Sequence, residues 1–211
     1  MRILIGTTNP SKVKWIASLL EGCDAEFLTL KDMNITDEPD EHGGTPEENA
    51  VIKARFYSRY FDTVICNDAG LYFDSLAMDD ARQPGLNIRT PDGCDRLDDE
   101  AMIDYYTRLI ASLGGKVTAF YLNGIAVYAN GRMHSFMEDR NETGNEGFFM
   151  VDQPSESRHP GWPLDSISRY RDSLMYFSER NANEGEKPKR EDSETGFKRC
   201  TRAFLMGVLG L

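Results

Sequence analysis

The chain has 211 residues, with 35 acidic against 24 basic side chains and a formal net charge of −11. A chain of this length can bury roughly 70% of its unfolded surface without disulfide or metal staples, so a single domain over residues 1–211 is expected. The acidic balance excludes broad contact with a nucleic-acid polymer, which needs basic surface. No apolar run approaches the ~18 residues of a membrane-spanning helix.

In chain order, RILIG (residues 2–6) reads as a buried strand and TTNPSK as a turn started by Asn9-Pro10. The opening apolar run is too short for a secretory signal, so a cytoplasmic protein is expected. Residues 11–22 read as a helix with Val13, Ile16, Ala17 and Leu20 on one stripe and Gly22 as terminator. A strand follows over 25–30, then a polar acidic loop over 31–44. Residues 45–61 carry a full set of helix-start signals: Thr45 as N-cap, Pro46 at the first position, and Glu48 at the capping-box position. A third strand is expected over 62–67, ending in Asn67. Later come a helix over 98–115, a strand over 116–129, the hairpin turn Asn130-Gly131, and a strand to Glu138. Residues 139–147 and 181–195 read as polar loops, and the chain closes in a helix from Phe197. The strand–helix alternation of the first seventy residues is an α/β pattern. The four cysteines are scattered with no metal-binding spacing, which favours free thiols.

Three stretches carry chemistry. In GTTNPSK, a strand feeds a turn and a helix start, where free N–H groups bind anions. Thr7, Thr8 and Asn9 add side-chain donors and Lys12 a positive charge, although an ordinary helix cap has the same appearance. In the helix from Thr45, Lys53 lies amid apolar neighbours, with Glu48 within the helix and Glu41 just before it; taken alone, it can be a lysine snorkelling at a helix edge. In ICNDAGL, Asp68 stands at a strand end, where α/β sheets bind ligands, and Gly70 removes bulk beside it. A carboxylate there suits a hard cation such as Mg²⁺, or caps a turn.

Taken together, these motifs resemble the inosine triphosphate pyrophosphatases, the Ham1 family. The family's [ST]-G-N-x-x-K is matched by Thr7-Thr8-Asn9-Pro10-Ser11-Lys12, and its E-N-A-x-x-K-A by Glu48 to Ala54. Its D-D-S-G-L falls on Asn67-Asp68-Ala69-Gly70-Leu71, and a P-G followed by a basic residue on Pro84-Gly85 and Arg89. Its late F-G-[YW]-D-P resembles Trp162-Pro163-Leu164-Asp165-Ser166, and its S-H-R falls on Phe197-Lys198-Arg199. The chain departs from the pattern at Asn67, which cannot add charge to a metal and for which Asp74 is the nearby substitute acid. It also departs at Ala69, Trp162-Pro163, Lys198 and Ser193, the last standing where a lysine is expected that Lys187, Lys189 or Arg190 could replace.

The resemblance implies an elongated, two-lobed α/β domain with a long twisted mixed sheet, flanking helices and a central cleft. It implies Mg²⁺-dependent cleavage of non-standard purine nucleoside triphosphates (ITP, dITP, XTP) to monophosphate and pyrophosphate. By it, Thr7, Thr8, Asn9, Lys12, Lys53 and Gly70 meet the triphosphate, while Glu41 and Asp68 hold the metal and, with Lys53, carry catalysis. Trp162 stacks on the purine, Asp165 sits at the base edge, and Arg89, Lys198 and Arg199 meet base carbonyls or phosphates. The resemblance also implies a homodimer, for which the hairpin from Lys116 to Met137 is a candidate surface. Another modified nucleotide as substrate, or nucleotide binding without turnover, are the alternative readings.

Overall fold

The structure is a computed structural model and describes residues 1–159, 161–182 and 193–211. Its seven strands form a mixed sheet flanked by helices, the α/β architecture expected. The chain divides into two compact units. Unit 1 holds Met1–Ala69, Leu122–Asn145 and Glu191–Leu211; unit 2 holds Gly70–Tyr121 and Glu146–Arg190.

In unit 1, β1 (Arg2–Ile5) pairs in parallel with β2 (Glu26–Thr29) and with β3 (Val64–Phe73). Ile3, Leu4 and Ile5 are completely buried, which suits a strand covered on both faces. Ile3, Ile5 and Ile65 meet α1 (Pro10–Leu19) and α6 (Ser193–Leu209) through Ile16, Leu19 and Leu205. Leu4, Val64 and Cys66 meet α2 (Pro46–Tyr57) through Ala50, Ala54 and Tyr57. The second half of β4 (Lys116–Ala129) forms the expected hairpin with β5 (Arg132–Met137). Asn130 (φ 53°) and Gly131 (φ 71°) both take the left-handed conformation that a two-residue type I′ turn demands.

Unit 2 is built on α3 (Asp99–Ser112), capped by Asp98, whose carboxylate accepts from the Ala101 N–H at 2.8 Å. Tyr106 and Ile110 pack on Phe73, Val117, Ala119 and Met150. The first half of β4 pairs antiparallel with β6 (Phe148–Val151), and β6 with β7 (Ser168–Arg169). A short helix, α5 (Phe177–Ala182), follows.

Several boundaries differ from the sequence reading. β3 continues to Phe73 instead of ending at Asn67, because Leu71, Tyr72 and Phe73 are buried and extend the strand beyond Gly70. α2 stops at Tyr57, four residues early, with Ser58 as its C-cap. The stretch 139–147 contains a helical turn, α4 (Arg140–Thr143), started by Asp139 and ended by Gly144 at φ 65°. The stretch 181–195 overlaps α5 at one end and α6 at the other; its basic residues Lys187, Lys189 and Arg190 lie outside the described residues.

Candidate active site

The glycine closing β1 sets the geometry. A Cβ on Gly6 would lie 2.5 Å from the Cys66 Sγ and 2.7 Å from the Tyr57 ring, so these two side chains can pack over the end of β1 only because residue 6 has none. The Gly6 N–H donates to Ile65 at 2.9 Å, after which β1 gives way to the Thr7–Asn9 turn while β3 runs on. Asn67 and Asp68 therefore emerge just past the carboxyl end of β1. Asp68 lies within a strand, not at its end as the sequence suggested, but it still marks the end of a parallel pair.

The turn caps its own helix. Asn9 Oδ1 accepts from the Ser11 N–H at 2.9 Å, and the Asn9 N–H donates to Thr7 Oγ1 at 3.2 Å. Thr8 and Asn9 are exposed. Lys12, in the first turn of α1, reaches across so that its Nζ lies 3.5 Å from Asp68 Oδ1 and donates to the Asn67 carbonyl at 3.5 Å.

α2 supplies the other wall. Its cap forms as expected, Thr45 Oγ1 accepting from Glu48 N–H at 3.1 Å, but Glu48 reaches one residue further back than a capping box requires, to the Gly44 N–H at 2.6 Å. Asn49 and Lys53 lie one turn apart on the buried face, among Ala50, Ala54 and Tyr57. Lys53 is 8% exposed, and its Nζ lies 2.8 Å from Glu41 Oε2 and 3.0 Å from Asp68 Oδ1. Asn49 donates to Asp68 Oδ2 at 3.1 Å and accepts from the Gly43 N–H at 2.8 Å. A Cβ on Gly43 would fall 2.7 Å from Asn49 Oδ1, so this glycine is what lets the acidic loop close over α2 and bring Glu41 to the lysine. Sequence reasoning quoted Asn49 only as part of a motif; its signal was a second polar residue four positions before Lys53 on an otherwise apolar helix face.

Two ammonium groups thus share one carboxylate. Burial raises the Asp68 pKa, but Lys53 and Lys12 outweigh it and hold the group below its ordinary value. Burial depresses Lys53, and the neighbouring Asp68 and Glu41 more than reverse this, so its pKa is raised. For Lys12, burial and then repulsion from Lys53 prevail, and its pKa is lowered. Cys66, behind the cluster, is pushed up to about 12 by burial and stays a thiol.

Among the described residues no three His, Cys, Asp or Glu side chains are grouped to cage a metal ion. Glu41 and Asp68 nevertheless approach within an ammonium's width of one another. Two carboxylates suit Mg²⁺, which takes one or two from a protein and completes its octahedron with water and phosphate oxygens. Neighbouring residues of a strand face opposite ways, so Asn67 lies on the side of Ile65, away from Asp68. Its Oδ1 is buried without a hydrogen-bond partner among the described residues. The amide at 67 therefore faces away from the carboxylate pair at Lys53. Asp74 stands exposed just past β3.

The remaining expected residues are divided between the two units. Lys198 and Arg199 are exposed on α6, where Phe197 stacks on Trp15 of α1 with ring centroids 5.5 Å apart. In unit 2, a Cβ on Gly70 would lie 2.7 Å from Tyr72 Oη, so a side chain there would have to displace the Tyr72 ring. Arg89 is engaged by protein: its guanidinium donates to Asp99 Oδ1 at 3.0 Å and to the Gly161 carbonyl at 3.3 Å, while Asp99 Oδ2 accepts from the Gly161 N–H at 2.8 Å. The peptide before Trp162 is thereby held on both sides. Trp162 is 45% exposed. His159 Nδ1 lies 3.0 Å from Asp165 Oδ2, and its ring stacks on Trp162 at 6.1 Å.

The Ham1 family model matches residues 3–162. Curated relatives named dITP/XTP pyrophosphatase include one from Thermoanaerobacter pseudethanolicus, 40% identical over 87 residues, covering 41% of this chain and 42% of the relative. One from Bacillus anthracis is 40% identical over 76 residues, covering 36% and 38%. The matched part spans about two fifths of these relatives' length. A Ham1 protein structure from Coxiella burnetii superposes with a TM-score of 0.70 at 18% identity, over 100% of this chain and 98% of that one. A Ham1 protein from Staphylococcus aureus gives 0.67 at 19% identity, over 99% and 100%.

Proposed function

Because the chain belongs to the Ham1 family, we propose that it is a Mg²⁺-dependent pyrophosphatase acting on non-standard purine nucleoside triphosphates such as ITP, dITP or XTP. The observation that carries the reading is the sharing of Asp68 Oδ1 by Lys53 at 3.0 Å and Lys12 at 3.5 Å, with Glu41 on the same Lys53 nitrogen at 2.8 Å. Two cations and two anions already in contact can exchange partners with a polyphosphate and its counter-ion.

In this reading Lys12, Lys53 and the Thr7–Asn9 turn, with Gly70, hold phosphate oxygens. Glu41 and Asp68 would hold Mg²⁺, which when bound withdraws charge from the phosphates and orients them. In the resting protein both lysines depress the basicity of Asp68. Once they turn to phosphate, the Asp68 carboxylate is released to hold the cation and to orient the attacking water. Trp162 stacks on the base and Asp165 reads its edge. Arg89 serves by fixing Gly161, and Lys198 and Arg199 supply donors to base or phosphate. The protein is expected to act as one domain, in the cytoplasm and as a homodimer.

A panel of nucleoside triphosphates with Mg²⁺ tests the proposal by product. Pyrophosphate released from ITP or dITP well above ATP is the expected result. Orthophosphate as product, a pyrimidine preference, or tight binding with no product would overturn it.

A further inference from the structure

An exposed tryptophan held rigid from three directions calls for an explanation. Trp162 exposes 45% of its surface, yet the peptide before it is gripped by Asp99 and Arg89, and its own N–H donates to the His159 carbonyl at 2.8 Å. Asp165 N–H donates back to the Trp162 carbonyl at 3.1 Å, tightening the turn. Arg158 ties the start of the loop to Glu100 of α3 at 2.9 Å. Folding alone does not require a backbone turn held so firmly to present an indole to solvent. A flat ligand does, because a preorganised platform avoids the ordering cost of binding.

His159 joins the platform to its polar edge. Its ring lies 27° from parallel with the indole, and its Nδ1 sits 3.0 Å from Asp165 Oδ2. A carboxylate only accepts, so Nδ1 carries the hydrogen and donates it. One Asp165 oxygen is thereby pinned, and the direction in which the carboxylate can accept from a ligand is fixed.

We propose that His159 is a specificity-determining positioning residue: by holding Asp165 beside Trp162 it makes the site select purines that present an N1–H, the lactam form shared by 6-oxopurines, over purines whose N1 is a bare acceptor. This rests on the reading of Trp162 and Asp165 as the base site. An N1–H donates to the fixed carboxylate. Adenine presents a lone pair there, and a site built for a donor strongly rejects a ligand lacking it.

The test is equilibrium binding by isothermal titration calorimetry, with EDTA present to prevent turnover. The ligands are ITP, 1-methyl-ITP, which lacks the N1–H, and ATP. The wild type is expected to favour ITP over both by about tenfold or more, the scale of one charge-assisted hydrogen bond. His159→Phe keeps a ring against Trp162 and removes the donor; the preference should fall to within about twofold. His159→Asn restores a donor near the Nδ1 position and should recover most of the preference. A His159→Phe protein with the wild-type preference, an equal loss for all three nucleotides, or no recovery in His159→Asn would overturn the proposal. Trp162→Ala in the same titration separates the two ideas. If it leaves ITP binding intact, the base-site reading falls and the proposal with it. If it weakens ITP while His159→Phe keeps the preference, only the role of His159 falls.

Discussion

Replacing Asp68 by asparagine changes no atom's position and removes the charge on which the cluster depends. Its Oδ1 carries Lys53 and Lys12, and its Oδ2 accepts from Asn49. In Asp68→Asn the amide oxygen can stay with the lysines, but its NH₂ then faces the NH₂ of Asn49. Asn49 can flip only by surrendering the Gly43 N–H. Breaking a fully buried ion pair costs about 3–5 kcal/mol. Asp68 is 16% exposed and Lys53 keeps Glu41, so a loss of about 2–3 kcal/mol at pH 7 is expected. The loss has a pH signature. The folded-state pKa of Asp68 lies below its ordinary 3.8, so its contribution is present above that value and disappears as pH falls through the lower folded-state one. Urea titrations of both proteins at pH 7 and pH 3 should therefore show the gap narrowing in acid. With ITP and Mg²⁺, turnover should fall by about 10²–10⁴, the range for loss of a general base. A stability gap equal at both pH values, or a kcat within a fewfold of wild type, would refute the account.

Lys53→Met should raise KM for the triphosphate by about tenfold to a hundredfold through loss of a charge-assisted contact, read from initial rates. An unchanged KM would remove Lys53 from phosphate binding. Gly43→Ala places a Cβ 2.7 Å from Asn49 Oδ1 and should push the Glu41 loop off α2. The expected signature is a rise in the Mg²⁺ concentration needed for half-maximal rate, with Tm lowered by only a few degrees. Trp162→Ala should raise KM for purine substrates more than it lowers kcat, since stacking serves ground and transition states alike.

The start of α2 was readable residue by residue, because Thr45, Pro46 and Glu48 act through local bonds. The Asn130-Gly131 hairpin was readable for the same reason: two left-handed residues fix one turn. The end of β3 was not, since Ala69 and Gly70 look like a turn and become strand only through burial of Leu71 to Phe73. α4 was missed because its four residues make one capped turn with no apolar period. Within the site, Lys12, Glu41, Lys53 and Asp68 were named in advance and stand in contact. Asn49, Gly43 and His159 were not, because each acts by aiming another residue, and that relation exists only once the chain is folded.

The cluster around Lys53 is electrically neutral at rest: two ammonium groups against two carboxylates. It therefore projects no attractive field to draw in a distant polyanion, while the chain as a whole carries −11. Encounter with free nucleoside triphosphate is uphill within about a Debye length of the surface, about 10 Å at 0.1 M salt, and is screened beyond it. Capture should quicken, not slow, as moderate salt is added, and a cation-complexed nucleotide should enter faster than a bare one. On the proposed reading, attraction begins only at contact, when phosphate oxygens take the place of carboxylate oxygens on the lysines.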